Sequence, residues 1–207
     1  MMKRTLLWGL ILVPVFYYAA LIGGSLTYPG YSHVTQYASE LGTADAPNPE
    51  LFNYCIIAAG LAALAGSVGL AWALETLSGR RLWALLAAVS LPLWGVAMVM
   101  GGWFPMPDDR HGAYGLGLAG QLTSLFALLA LLPVKGATAI KYFLAFIFLG
   151  SGMLIAIMMG VGGLVTLANV GIWQRVNSAT GIIWLAVLGL WLLGRTRGHE
   201  RSAPAPR

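Results

Sequence analysis

The sequence predicts an all-α integral membrane protein, a bundle of six transmembrane helices with both termini on the cytoplasmic side. Three observations carry that prediction. Of the 207 residues, 58% are hydrophobic and only 9% charged, and the mean hydropathy is +0.77; a soluble domain carries about 25% charged residues. Six apolar runs, near 5–24, 51–77, 82–104, 113–134, 142–161 and 171–194, each approach the ~20 residues that cross a ~30 Å hydrocarbon layer. The basic residues are also sorted. With the N-terminus inside, the inner segments hold Lys3, Arg4, Arg80, Arg81, Lys135, Lys141, Arg195, Arg197, Arg201 and Arg207, and the outer segments only Arg110 and Arg175, which is the asymmetry that orients membrane helices. The net charge of +5 is therefore a topology signal, and nucleic acid is not an expected partner.

Taken in order, the first run begins Met1-Met2-Lys3-Arg4 like a signal peptide, but it is long for one and no A-x-A site follows, so a retained helix is expected. Between the first and second runs, 31–42 reads YSHVTQYASELG, the one long polar segment. Its spacing predicts a short amphipathic helix: Ser32 as N-cap, His33, Gln36 or Tyr37, and Glu40 on one face, Val34, Ala38 and Leu41 on the other, and Gly42 as the stop. Asn48-Pro49-Glu50 starts the second helix with a cap, a proline at its first position and an acid in its first turn. Pro14 and Pro92 should kink the first and third helices. Asp108 or Asp109 can cap the fourth, putting His111 in its first turn and His111, Tyr114, Leu118 and Gln121 on one stripe, with Gln121 bonding across helices. Gly112, Gly115, Gly117, Gly120, Gly160, Gly162 and Gly163 are expected to let helices pack closely. Residues 1–198 form one domain, and 199–207 a disordered cytoplasmic tail.

Chemistry is confined by what the runs lack. Cys55 is the only cysteine, which excludes an internal disulfide and a thiolate metal cluster. No Asp, Glu, Lys, Arg or His falls mid-helix, which argues against ion-coupled transport, a retinal lysine or a bis-histidine haem. The polar residues collect on the outer face instead. His33, Glu40, Asp108 and His111 are the candidate catalytic residues, and Ser32, Gln36, Tyr37, Asp109, Tyr114, Arg175 and Asn177 the candidate ligand-binding ones. Two imidazoles and two carboxylates, His33, His111, Glu40 and Asp108, would make a divalent-metal site of His/carboxylate type. Arg175, about a turn inside a membrane helix, is expected to pair with Glu40, Asp108 or Asp109. Ser32 and Ser39 lie near His and Glu, but no GxSxG accompanies them.

At these residues the chain resembles the DUF998 family of prokaryotic six-helix membrane proteins, through S-H-x-x-Q-x-x-S-E-L-G at 32–42 and then Phe104-Pro105, Asp108 and His111. The resemblance implies a six-helix fold and no particular activity. More distantly, Ser39-Glu40-Leu41-Gly42-Thr43 and Pro49-Glu50 resemble the S-D-T-G-T and P-E of the DRAM/Sfk-type family, which implies a role in lipid organisation or lipid-anchor remodelling. Membrane hydrolases of the alkaline ceramidase type need three histidines, and only two stand on the outer side here, His199 being cytoplasmic. The expected function is thus binding or processing of a lipid or amphiphile at an outer-leaflet polar pocket in a prokaryotic plasma (inner) membrane. A small-solute transporter or channel and a non-catalytic scaffold are the alternatives, and the sequence does not specify an oligomeric state.

Overall fold

The computed structural model describes residues 2–202, and among them there is no strand. A short turn, Met2–Thr5, leads into α1 (Trp8–Leu26), followed by α2 (Pro49–Ser78), α3 (Arg81–Trp103), α4 (Ala119–Leu131), α5 (Thr138–Met158) and α6 (Val170–Ser202). Six segments, with 109–118 counted as the lead into α4, are long and apolar enough to cross a membrane, so this is a multi-pass membrane protein. The helix α6 runs through Ser202, and the rest of the expected tail, 203–207, lies outside the described residues.

Local chemistry sets the ends. Pro49 opens α2 with Glu50 in its first turn, and Gly79 closes it in the left-handed conformation, φ +67°, donating its N–H to Glu75 O at 2.8 Å. At the opposite end from the 31–42 segment, three basic side chains reach the C-terminal carbonyls of α4 and the turn after it: Arg80 to Leu129 O at 3.3 Å, Lys141 to Leu132 O at 2.8 Å and Arg195 to Lys135 O at 2.9 Å. Cations there satisfy orphan carbonyls and oppose the helix dipole.

The helices form a ring in chain order, α6 closing on α1, and α1, α2 and α3 are its most closely packed part. Glycine makes that closeness. A Cβ on Gly9 of α1 would lie 2.5 Å from Ala62 O and 2.6 Å from Gly66 N of α2, and one on Gly60 of α2 would lie 2.5 Å from Gly95 O of α3. Only backbones stripped of side chains approach so near. The glycines expected to do this are mostly elsewhere: nothing lies within 4 Å of a Cβ on Gly112, Gly115 or Gly117. Of that set Gly120 does pack, against Trp94. Gly160, Gly162 and Gly163 serve the turn after α5 through positive φ. Away from the ring's interior, Leu12, Val15, Ile22, Val68, Val89, Phe146 and Leu149 are exposed and form the lipid face.

Mid-bundle polarity is spent on cross-helix bonds. Gln121 donates to Phe148 O and accepts from Ser151 Oγ at 2.6 Å, and Ser90 bonds Thr123 at 2.9 Å, so Gln121 ties α4 to α5 as the sequence leads one to expect.

The fourth span departs from expectation. Asp108 Oδ1 accepts from Arg110 N at 2.9 Å and caps a 3-10 segment over Asp109–Leu118, within which Ala113, Tyr114 and Gly115 take φ of +46°, +51° and +82°. The α-helix begins only at Ala119. This reversal breaks the anticipated stripe, burying Ala113 and leaving Tyr114 79% exposed. Left-handed backbone at two non-glycine residues costs on the order of 1–3 kcal/mol each and reshapes the mouth of the bundle.

Candidate functional site

The 31–42 segment does not close into one helix. Ser32 Oγ accepts from Val34 N and Thr35 N, both at 3.3 Å, and Gln36 N donates to Ser32 O at 3.0 Å, giving a single turn. Tyr37 is then extended, φ −68° and ψ 150°, before a 3-10 segment at Ala38–Gly42. The reason is competition from α6. Ile172 N donates to Val34 O at 3.2 Å, Arg175 to Gln36 O at 2.6 Å, and Gln174 Oε1 accepts from Ala38 N at 2.6 Å. Backbone groups that a continuous helix would use internally are taken by a neighbour instead. Close approach is possible because residue 171 is glycine: a Cβ there would sit 2.5 Å from His33 O and 2.7 Å from Gln36 O. Ala38 and Leu41 are buried as their spacing suggests, but Val34 is 45% exposed.

Arg175 is the centre of this clamp, and among the described residues it is not paired with a carboxylate. Its guanidinium donates to Gln36 O, to Gly171 O at 3.2 Å, to Gln174 Oε1 at 3.2 Å and to Tyr31 Oη, while Tyr31 Oη donates to Tyr37 O at 2.9 Å. The charge is met by carbonyl and hydroxyl dipoles because the acids are engaged at home. Glu40 turns back on its own loop, accepting from Tyr37 N at 2.7 Å and Gln36 Nε2 at 3.0 Å. Asp108 is gripped by Arg110 at 2.9 and 2.7 Å, and those hydrogen bonds hold its carboxyl at about 2.

The four-ligand metal site is accordingly not assembled. Among the described residues no three His, Cys, Asp or Glu side chains are grouped to hold a metal ion. His33 stands exposed, edge-on to Tyr31 with ring centroids 5.2 Å apart. Its pKa is lowered, first by desolvation and then by the Arg175 charge. His111 faces another way: its Nδ1 lies 3.0 Å from Phe104 O. A carbonyl only accepts, so Nδ1 carries a proton, and Nε2 is the ring nitrogen left free of this bond.

What the loops build is a roofed cleft. Ala38 and Ser39 form its cover, and Ser39 Oγ reaches Met106 Sδ at 3.7 Å, joining the first loop to the α3–α4 loop. His111, Gly112 and Ala113 edge the mouth, with Gln174 opposite; Tyr17, Phe52, Ile56, Trp94, Met98, Gly101 and Ile182 line the walls of a space of about 390 Å³. Trp94, Gly117, Ser178 and Ile182 also line a second space of about 140 Å³, deeper between α3, α4, α5 and α6 and carrying Gln121, Ser124, Ser151 and Asn177. Tyr17 Oη donates to Ser178 Oγ at 2.7 Å between the neighbouring helices α1 and α6.

Of the residues singled out from sequence, His111 lines the cleft and Asn177 its deeper extension. Ser32, His33, Gln36, Tyr37, Glu40 and Arg175 build and fasten the roof from its far side. Asp108 steadies the second loop, and Asp109 and Tyr114 face outward. Ser39, noted above for its neighbours His33 and Glu40, and Gln174, one of the outer-face polar residues of α6, also belong to the cleft. Tyr17, Trp94 and Ser178 belong to it without having been selected; their signal was a hydroxyl or indole within an apolar run, which helix anchoring and packing also produce. No curated protein and no solved structure matches this chain. A family model does, the one described as protein of unknown function (DUF998), over residues 11–191. That match takes in all but the first residues of α1 and the last turns of α6, with every loop of the cleft, and the chain belongs to the DUF998 family.

Proposed function

We propose that this membrane protein binds an amphiphile, its polar head under the 38–42 roof and its chain along the apolar walls. The lining of the cleft carries the reading. His111, Ser39 and Gln174 cluster at the mouth, Phe52, Ile56, Met98 and Ile182 lie along the walls, and among the described residues no Asp, Glu, Lys or Arg lines the space. Ligand sites are concave and largely apolar, with a few convergent polar groups. A desolvated ion would find no countercharge there, whereas a lipid-like molecule meets both of its halves. The test is photolabelling: an alkyl-diazirine amphiphile in vesicles holding the protein should label Ile56, Met98 or Ile182 as well as lipid-facing residues such as Leu149. Gly101→Phe, whose Cβ has room at 3.8 Å from His111, should remove the cleft labels and spare Leu149. Labelling confined to the lipid face in both proteins would defeat the proposal.

The roofed end is read as the non-cytoplasmic side of a prokaryotic plasma membrane, on the ten-to-two division of basic residues given above. Reporter fusions after Arg81 and after Thr43 are expected to report opposite sides, with the second outside. Fusions that agree would remove this topology.

A further inference from the structure

The deeper cavity has a hydrogen-bonding balance that the cleft above it does not explain. Most of its polar groups already have partners: Gln121 is bonded on both ends of its amide, Ser124 Oγ donates to Gln121 O at 3.2 Å, and Ser151 Oγ serves Gln121 Oε1. Asn177 has no hydrogen-bond partner among the described residues, though it lines this space one position before Ser178. Ser178 Oγ accepts the Tyr17 proton, so its own O–H is left to donate. Asn177 is half-buried, and its amide keeps both donor and acceptor sites open at the edge of this space. At about 140 Å³ the cavity far exceeds the ~10–15 Å³ that one water needs. Among the described residues no Asp, Glu, Lys, Arg or His lines it.

We propose that Asn177 and Ser178, where the second space meets the cleft, form a neutral hydrogen-bonding subsite that receives a hydroxyl- or amide-bearing part of an uncharged head group in preference to a charged one. The amide both donates and accepts, and the hydroxyl donates, which matches a polyol or amide function. A phosphate or ammonium would be stripped of water there with no opposite charge to receive it. The subsite rests on the amphiphile reading and specifies the class of head group.

The experiment uses the full chain in nanodiscs and three probes with the same ten-carbon chain: monodecanoylglycerol, decyl phosphate and decylamine. Monodecanoylglycerol should raise the melting temperature saturably and bind at least about tenfold tighter than either charged probe, a gap of about 1.4 kcal/mol. Asn177→Leu should leave the melting temperature without probe unchanged, since the side chain bonds nothing, and should weaken monodecanoylglycerol about tenfold. Asn177→Asp should shift preference to decylamine. If charged and neutral probes bind alike and Asn177→Leu changes none of them, the subsite is wrong while the cleft reading stands. If no probe stabilises the protein, both fall. A fall in the probe-free melting temperature of Asn177→Leu together with an unaltered preference in Asn177→Asp would make Asn177 a packing residue and overturn the subsite.

Discussion

Gly9→Leu should destabilise the bundle by about 3 kcal/mol, at the upper end of overpacking costs in well-packed cores. The atoms that its Cβ would meet, Ala62 O, Gly66 N and Gly66 Cα at 2.5 to 2.8 Å, are all backbone and cannot rotate aside. α1 must move bodily from α2, and with it the neighbouring close approaches, where a Cβ on Gly66 would lie 2.9 Å from Leu10 N and one on Gly69 2.7 Å from Leu7 N. In lipid that loss is not recovered by hydrophobic burial, because acyl chains are as apolar as the side chains they replace; close packing is the main attraction between helices. Gly112→Ala is the matched control. It substitutes a glycine with no atom within 4 Å and should stay within about 0.5 kcal/mol of the parent. Melting of the two variants in the same detergent separates them, and equal stability would mean that the α1–α2 crossing is wrongly drawn.

The comparison between Gly9 and Gly112 also marks how far the sequence could be read. Span number follows from hydropathy alone, because lipid demands a long uninterrupted apolar run and tolerates little else. Small residues reveal less, since a glycine at a crossing and a glycine in a turn look alike until the partner is known. Gly112, Gly115 and Gly117 are closely spaced and attract notice, yet they lie in the α3–α4 loop, whose backbone reverses at Ala113, Tyr114 and Gly115. The site was legible in the same uneven way. Polar loops announce that one end of the bundle is special, and His111 and Asn177 were within reach of that argument. Charged residues carried the strongest expectations, however, and charges at a membrane surface satisfy one another locally first. Asp108 finds Arg110 two residues away, and Glu40 finds the Tyr37 N–H three residues back. The cleft was left to neutral groups such as Tyr17, Ser39, Gln174 and Ser178, whose meeting depends on helix rotation and is not encoded in spacing along any single segment.

Arg175→Leu is expected to unfasten the roof and leave the six spans in place. The wild-type guanidinium holds Gln36 O and Tyr31 Oη from the first loop and braces Gln174, whose side chain in turn accepts from Ala38 N. Hydrogen bonds to a charged group contribute about 1.5–3 kcal/mol each. Allowing for new contacts with water, local stability of 31–42 should fall by about 3 kcal/mol, which raises amide exchange at Gln36, Tyr37 and Ala38 roughly a hundredfold. Exchange in the centres of α2 and α3 should not change. Arg175→Lys should recover only part of the protection, because one ammonium cannot span acceptors that a planar fork reaches from two nitrogens. A simple snorkelling arginine makes the opposite forecast: the leucine variant would exchange like the parent in the loop, and lysine would be an adequate replacement. Loop exchange unchanged in Arg175→Leu would therefore return this residue to the lipid headgroups and leave the roof to be held by Ile172 N on Val34 O and by Gln174 alone.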